Sequence, residues 1–316
     1  MLNTNQIYNM DCLDGLRLLD TESVHCCITS PPYWALRDYG SSGQIGMEET
    51  PDEYVSKLCA VFEEVRRVLR PDGVLWLNIN DTYCGTGSKG NHRDPKNPNG
   101  RTGQKTAKNY QVAGLKKKDL IGIPWMLAFA LRDMGWYLRQ DIIWHKPNAM
   151  PESVKDRCVR AHEYLFLFAK SPRYYFDHKA IREVANYDGR KAILHKGAEK
   201  YAVSAIPGNP PQHLNAAVRD RWQWDNGKPL RNRRSVWSIN TKPLKDAHFA
   251  AFPRTLIEPC ILAGCPEGGI VLDPFMGSGT SAIAANALGR RYIGFELNPA
   301  YIEIAQKRLE KESEKA

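Results

Sequence analysis

The sequence predicts an α/β fold in which both ends of the chain contribute strands to one parallel sheet. Short apolar segments alternate with segments of helical apolar spacing over the first 80 residues, and this alternation returns after residue 252. Such alternation is typical of a parallel sheet covered by helices. Basic segments that are poor in large aliphatic residues interrupt the stretch between the two regions. They predict insertions into the α/β fold.

Eleven elements are predicted from these patterns. In chain order, strands are predicted at residues 26–29, 73–79, 137–144, 164–169, 270–272 and 292–295, and helices at 51–70, 123–134, 252–263, 280–288 and 299–310. The first helix has Tyr54, Leu58 and Val61 on one face. Pro124 is tolerated because it falls in the first turn of its helix. Residues 85–114 are rich in Gly, Asn and Lys and predict a long loop.

The net charge of +9 is concentrated in two segments. Residues 86–118 hold nine Lys or Arg and one acid, a local charge of +8, and residues 189–234 hold ten against three acids, a local charge of +7. The rest of the chain therefore carries −6. A solvated face explains an isolated basic run, but two runs on an otherwise acidic chain favour a polyanionic partner.

Five segments follow from composition and pattern. Residues 1–85 and 236–316 are expected to form two halves of the α/β domain, and residues 119–185 continue it. Residues 86–118 are expected to form a basic mobile loop, and residues 186–235, which mix basic and aromatic residues, a small inserted region.

Composition also limits the compartment and the metal chemistry. The content of 42% hydrophobic and 25% charged residues is that of a globular protein. The eight cysteines form no Cys-x-x-Cys pair, so neither a metal site nor a disulfide framework is expected. There is no long apolar run and no signal-peptide pattern at the start. We therefore expect a cytoplasmic protein without a membrane partner.

A glycine-rich turn near the end of the chain is suited to an adenosine-containing cofactor. The predicted strand ends at Asp273, and Gly277 and Gly279 then remove side chains where backbone must approach a ligand. Glu296 ends the next strand, 23 residues later, where a carboxylate accepts from ribose hydroxyls. With Ala282 the turn also matches the G-x-G-x-x-A fingerprint of dinucleotide sites. An NAD-dependent oxidoreductase therefore remains an alternative, although about 20 residues follow Glu296 and no second βαβ half fits.

The segment Thr29 to Trp34 is suited to holding an exocyclic base amine. The amino groups of cytosine and adenine are poor nucleophiles, because their lone pair is delocalised into the ring. The Ser30 hydroxyl and the Pro31 carbonyl offer acceptors for the two N–H bonds, and Tyr33 offers a ring face for a flipped base. A plain strand and Pro-Pro turn with packed aromatics is the structural alternative. Attack by Cys260 at a ring carbon is a competing chemistry, but that cysteine lies in an apolar helical segment.

The two segments, in this order and with a basic insert between them, resemble the β-class DNA amino-methyltransferases. Further similarity lies in Trp144, Lys146, Pro147 and Asn148, followed by His162 and Glu163. The resemblance covers roughly residues 7–85, 119–180 and 245–310. It implies a Rossmann-like S-adenosylmethionine-dependent methyltransferase sheet with an inserted basic target-recognition region. It also implies transfer of a methyl group to DNA by base flipping and direct attack.

The resemblance assigns roles to individual residues. The implied catalytic residues are Ser30, Pro31, Pro32 and Tyr33, and the implied S-adenosylmethionine residues are Asp11, Asp273, Phe275, Gly277, Gly279, Thr280 and Glu296. The residues expected at the target base or DNA are Trp34, Trp144, Lys146, Arg219, Arg221, Arg231, Arg233 and Arg234. No metal is implied.

The resemblance leaves the target base open between two amines. Serine at position 30, with threonine before it, is similar to enzymes that make N4-methylcytosine, whereas adenine-N6 relatives more often carry Asp or Asn there. Double-stranded DNA is the expected partner, together with a restriction endonuclease acting on the same site. A DNA-binding relative that has lost activity is a further alternative.

Overall fold

The chain divides into two compact units in a computed structural model that describes residues 2–35, 43–85, 112–185, 224–225, 228–241 and 252–314. The larger unit comprises Met1–Asp177 and Ser235–Ala316, and the smaller comprises His178–Arg234. The smaller unit overlaps the predicted basic insertion at 186–235. Most of the predicted loop at 86–118 lies outside the described residues, which resume at Val112.

The elements follow in this order. The strands are β1 (Gln6–Asn9), β2 (Val24–Thr29), β3 (Leu69–Ile79), β4 (Tyr137–His145), β5 (His162–Ala169), β6 (Glu183–Val184), β7 (Trp224–Asp225), β8 (Lys228–Arg231), β9 (Val236–Ser238), β10 (Ile270–Asp273) and β11 (Arg291–Glu296). The helices are α1 (Cys12–Arg17), α2 (Pro51–Val68), α3 (Ile123–Asp133), α4 (Arg254–Gly264), α5 (Thr280–Ala287) and α6 (Pro299–Ser313). Each predicted element is present within a few residues, whereas β1, α1 and the short strands β6 to β9 were not predicted.

The main sheet has eight strands in the order β1-β11-β10-β2-β3-β5-β4-β9. The first five are parallel, but β5 is antiparallel to both β3 and β4. The prediction of a wholly parallel sheet was therefore wrong. The reason lies in residues 146–161, which join β4 to β5 and contain no helix. Parallel neighbours need a crossover connection, usually a helix, whereas this segment turns the chain straight back.

The strand order reverses direction between β10 and β2. The chain runs from β10 to β11 on one side of this point and from β2 to β3 on the other. Right-handed crossovers then place α5 and α2 on opposite faces of the sheet. In open α/β sheets, ligands bind at such a switch point, beyond the carboxyl ends of the strands. Asp273 and Ser30 lie at this point.

Helix α2 shows how the sequence builds one of these faces. Thr50 caps its amino end by accepting from the Glu53 amide at 3.2 Å, and Pro51 occupies the first turn. Tyr54 and Phe62, both completely buried, pack into a core shared with α1 and α3. Among the described residues no helix is both long and apolar enough to cross a membrane.

The smaller unit contains a three-stranded antiparallel sheet in the order β6-β8-β7. Glu183 pairs with Arg231 and Val184 with Leu230 in its register. Residues 186–223 lie outside the part of the chain that the structure describes.

Candidate active site

The two glycines of the turn between β10 and α5 have different tasks. Gly277 and Gly279 have φ angles of 52° and 80°, the left-handed region that favours glycine. A Cβ at Gly279 would lie 2.7 Å from the Ala305 Cβ of α6, so this position is small for helix packing. A Cβ at Gly277 would meet only the Phe275 carbonyl oxygen, at 3.9 Å. The open space needed by a ligand therefore lies at Gly277.

Asp273 ties this turn to the strand that carries the acceptor segment. Its Oδ1 accepts from the Thr29 hydroxyl at 2.6 Å and from the Phe275 amide at 3.0 Å, and its Oδ2 accepts from the Ser281 hydroxyl. Burial raises the pKa of Asp273 to about 6, against the lowering effect of these hydrogen bonds. Asp273 therefore holds the donor and acceptor segments together, and its carboxylate is occupied by protein donors.

Glu296 is the carboxylate of this edge that is best placed for a ribose. Its Oε2 accepts from the Gly277 amide and its Oε1 from the Asn298 amide, both at 2.8 Å. Each oxygen retains a lone pair, because a carboxylate offers about four acceptor positions. Burial raises the pKa of Glu296, which the backbone donors oppose. The open glycine and the oriented carboxylate fit the adenosine part of S-adenosylmethionine.

Other predicted cofactor residues border this turn. Asp11 follows β1, the neighbour of β11, and caps α1 by accepting from the Leu13 amide at 2.8 Å. Phe275 packs against the core. Thr280 is buried and accepts from Arg308 at 3.2 Å. The same guanidinium group donates to the Ser278 hydroxyl at 2.8 Å. Arg308, on α6, thus orders the turn, a role that no sequence motif indicated.

The acceptor segment continues β2 directly into a chain of hydroxyl groups. The Ser30 hydroxyl lies 3.4 Å from the Tyr33 hydroxyl, which donates to Glu163 Oε2 at 2.7 Å. The Pro32 carbonyl accepts from the Tyr54 hydroxyl at 2.8 Å, which fixes the Pro-Pro turn on α2. Burial, and then Glu163, raise the pKa of Tyr33 well above its ordinary value, so its proton stays in place.

Glu163 is the centre of this network. Its Oε2 also accepts from Asn78 Nδ2 at 3.1 Å, and its Oε1 is paired with Lys146 Nζ. Asn78 and Glu163 are 2% and 6% exposed, so their hydrogen bonds are shielded from water. The sequence predicted neither as a catalytic residue. The available signal was a polar residue, Asn78, in the otherwise apolar run of β3.

The two predicted target-base tryptophans are buried. Trp34 is 2% exposed, packs in the core and donates to the Glu48 carbonyl at 3.0 Å. Trp144 is 3% exposed and donates to the Ile239 carbonyl at 2.9 Å, with the Lys146 ammonium 4.3 Å from its ring centre. In this structure Trp34 contributes to packing and does not line the acceptor network. Trp144 instead supports Lys146.

The predicted DNA-reading arginines are divided between described and undescribed parts of the chain. Arg219 and Arg221 lie outside the described residues. Arg231 forms an ion pair with Glu183 at 2.9 Å across β6 and β8, so its geometry is that of a sheet-stabilising residue. Arg233 is partly buried and Arg234 is exposed. Their contact with DNA stays a prediction.

The switch-point site and the acceptor network together define a class of protein, the methyltransferases that use S-adenosylmethionine. A family model described as DNA methylase, covering the N6 and N4 enzymes, matches residues 24–307. The chain belongs to this family, its methyl donor is S-adenosylmethionine, and it is a type II DNA methyltransferase. An NAD-dependent oxidoreductase is thereby excluded as the class.

Individual relatives agree with this membership. The chain is 46% identical to the type II methyltransferase M.XycI of Xanthomonas campestris pv. cyanopsidis, over 98% of this chain and 89% of that protein. It is 45% identical to M.Cfr9I of Citrobacter freundii, with the same coverage of both chains.

Solved structures show the same fold. The PvuII DNA methyltransferase (cytosine-N4-specific) matches with a TM-score of 0.62 and 19% identity, over 99% of this chain and 92% of that one. A DNA modification methylase of Thermus thermophilus, complexed with S-adenosyl-L-methionine, matches with a TM-score of 0.58 and 24% identity, over 97% and 93%.

Proposed function

We propose that this methyltransferase modifies the exocyclic N4 amine of cytosine in double-stranded DNA. The base is flipped out of the duplex, and its amine attacks directly, with no covalent enzyme intermediate. Bound S-adenosylmethionine supplies an electrophilic methyl group on a sulfonium. The observation that carries the proposal is the hydroxyl chain from Ser30 through Tyr33 to Glu163.

The chain gives the Ser30 hydroxyl a defined direction. Lys146 pairs with Glu163, and Glu163 accepts the proton of the Tyr33 hydroxyl at 2.7 Å. The Tyr33 oxygen is then available to accept from Ser30 at 3.4 Å. With its own proton directed at Tyr33, the Ser30 oxygen presents lone pairs to the amine. An acceptor aimed at an amine N–H returns electron density to nitrogen, where attack occurs.

The same chain offers a path for the proton that the methylated amine must lose. The amine N–H bond breaks as a new O–H bond forms on Ser30, while the Ser30 proton moves to Tyr33 and the Tyr33 proton to Glu163. The net result is a neutral Glu163 and a neutral methylated base. No charged nucleophile on the protein is required.

Two observations favour cytosine over adenine. Serine is a neutral acceptor, as in the N4-cytosine type that position 30 resembles. In addition, Lys146 Nζ lies at the network with N–H groups beyond the one directed at Glu163. Cytosine carries the carbonyl O2 beside its ring nitrogen, whereas adenine has only C–H at the equivalent place. An ammonium group therefore suits cytosine better.

Adenine N6 is the second candidate, because the family includes both amines and Ser30 does not contact the ring itself. A paired restriction endonuclease acting on the same DNA site is proposed as well, on the strength of the type II relatives.

Nucleoside mass spectrometry of DNA incubated with the protein and labelled S-adenosylmethionine tests the proposal. Label in N4-methylcytosine is expected. Label in N6-methyladenine would replace cytosine by the second candidate, and no label from folded protein would support an inactive relative. The Ser30→Ala variant is expected to lose activity while its S-adenosylmethionine affinity, measured by calorimetry, stays unchanged.

A further inference from the structure

A polar pocket lies beside the acceptor network, on the side away from the cofactor turn. Its volume is about 220 Å³, and it is formed where β3 ends and where the segment between β4 and β5 begins and ends. The lining residues that carry the argument are Asp81, Tyr83, Lys146, Arg157, Arg160 and His162. No role has been assigned above to this pocket as a whole.

The carboxylates that line the pocket are already engaged by the protein. Asp81 accepts from the backbone amides of Thr82, Gly122 and Ile123 at 2.9 to 3.2 Å, and so closes the amino end of α3. Glu152 Oε2 lies 2.7 Å from Arg157 Nη1, as an ion pair. The capacity to accept hydrogen bonds is therefore largely used inside the pocket.

The donors, by contrast, exceed the acceptors. Arg160 Nη1 is buried and has no hydrogen-bond partner within the described parts of the chain. The Arg157 guanidinium lies 4.2 Å from the ring centre of Tyr83, which holds it flat against the pocket wall. Burial and the charge of Arg160 lower the pKa of His162, so at neutral pH its ring offers one N–H. Such a set suits a ligand that only accepts.

We propose that this pocket binds a phosphodiester group of the DNA strand that carries the target base, with Arg160 as its principal contact. The location fits this ligand. Lys146 lines the pocket and pairs with Glu163, whose other oxygen holds Tyr33, so the pocket adjoins the place of the flipped base. A flipped nucleotide carries a phosphate on each side, and planar guanidinium groups bind phosphate oxygens in pairs. The proposal rests on the proposed acceptor site, but not on which base is methylated.

The test compares Arg160→Ala with wild type and with Arg139→Ala. Arg139 is an exposed arginine that also contacts a tyrosine, Tyr174, outside the pocket. Binding of a mixed-sequence duplex is measured by fluorescence anisotropy over a range of salt concentrations. Removing one phosphate contact is expected to reduce the salt slope by about one and to weaken binding about tenfold. Arg139→Ala is expected to match wild type, and Arg160→Lys to recover part of the slope.

A second arm locates the phosphate. Once sequencing has found the methylated position, duplexes are made with single neutral methylphosphonates around it. One substitution next to the target is expected to raise the KM of wild type for DNA about tenfold and to have no further effect on Arg160→Ala. Because this arm reads DNA affinity, it is independent of whether cytosine or adenine is modified.

Three results would overturn the proposal. The salt slope of Arg160→Ala could equal that of wild type. The variant could lose kcat with KM unchanged, which would indicate contact with the base. Inorganic phosphate could stabilise wild type but not the variant while the DNA slopes agree, which would indicate a site for free phosphate.

Discussion

Replacing Glu163 by Gln tests the proposed hydroxyl chain most directly. The substitution keeps the size of the side chain and its ability to accept from Tyr33, but removes its charge. Lys146 then loses the partner with which it forms a mostly buried ion pair, in which the two side chains are 18% and 8% exposed. The Tyr33 hydroxyl changes from a charge-assisted donor to an ordinary one.

The size of the effect follows from that hydrogen bond. Bonds to charged groups contribute about 1.5–3 kcal/mol and neutral ones about 1 kcal/mol, so the Tyr33 contact is weakened by about 1 kcal/mol. If this loss is felt at the Ser30 acceptor in the transition state, kcat falls about fivefold to tenfold. Loss of the buried pair also lowers the unfolding free energy, by up to about 3 kcal/mol. The affinity for S-adenosylmethionine should not change, because Glu296 and Gly277 lie elsewhere.

Single-turnover methylation gives the rate, and a double-mutant cycle with Tyr33→Phe gives its origin. Tyr33→Phe removes the hydroxyl between Ser30 and Glu163, so Glu163→Gln should add little further loss of rate in that background. Full additivity of the two losses would refute the chain, as would an unchanged rate in the single variant. Glu258→Gln, which breaks a partly buried pair with Arg254 at 2.6 Å far from the acceptor segment, controls for lost charge.

Three further predictions concern the cofactor turn. Because the pKa of Asp273 is about 6 when folded and 3.8 is its ordinary value, its stabilising effect is complete below pH 3.8 and is lost as pH rises through 6. Urea unfolding of wild type relative to Asp273→Asn should therefore lose about 1 kcal/mol between about pH 5 and 7, and a constant difference would contradict this origin. Gly279→Ala should lower the unfolding free energy by about 2–4 kcal/mol through its contact with Ala305, whereas Gly277→Ala should cost about 1 kcal/mol and chiefly weaken S-adenosylmethionine binding in calorimetry. Arg308→Gln should weaken that binding severalfold by loosening the turn, and an unchanged Kd would show that the turn is ordered without it.

Local patterns predicted the elements and the donor edge well. Asp273 and Glu296 were predicted as the ends of successive strands, and the structure places those strands side by side. Glycines at 277 and 279 were predicted together, but only three-dimensional packing separates them, since Ala305 comes from a later helix. Sequence spacing carries no information on which face of a turn meets another element.

Contacts between distant segments could not be predicted. The direction of β5 depends on how residues 146–161 return, which strand periodicity does not record. Glu163 reaches Tyr33 across 130 positions, so its role emerges only when β5 lies next to β3. Trp34 follows the acceptor segment directly, yet its indole points into the core because Glu48 supplies a carbonyl there.

The bond between Thr29 and Asp273 also bears on how the chain reaches its native state. It joins β2 to β10, whose paired residues Cys26 and Val271 lie 245 positions apart. Such pairings are slow to form because a long loop must close first. During synthesis β2 to β5 leave the ribosome well before β10 and β11, so β2 waits with one edge open. The donor site is completed last, and a partly synthesised chain cannot methylate DNA even if its acceptor segment has already folded.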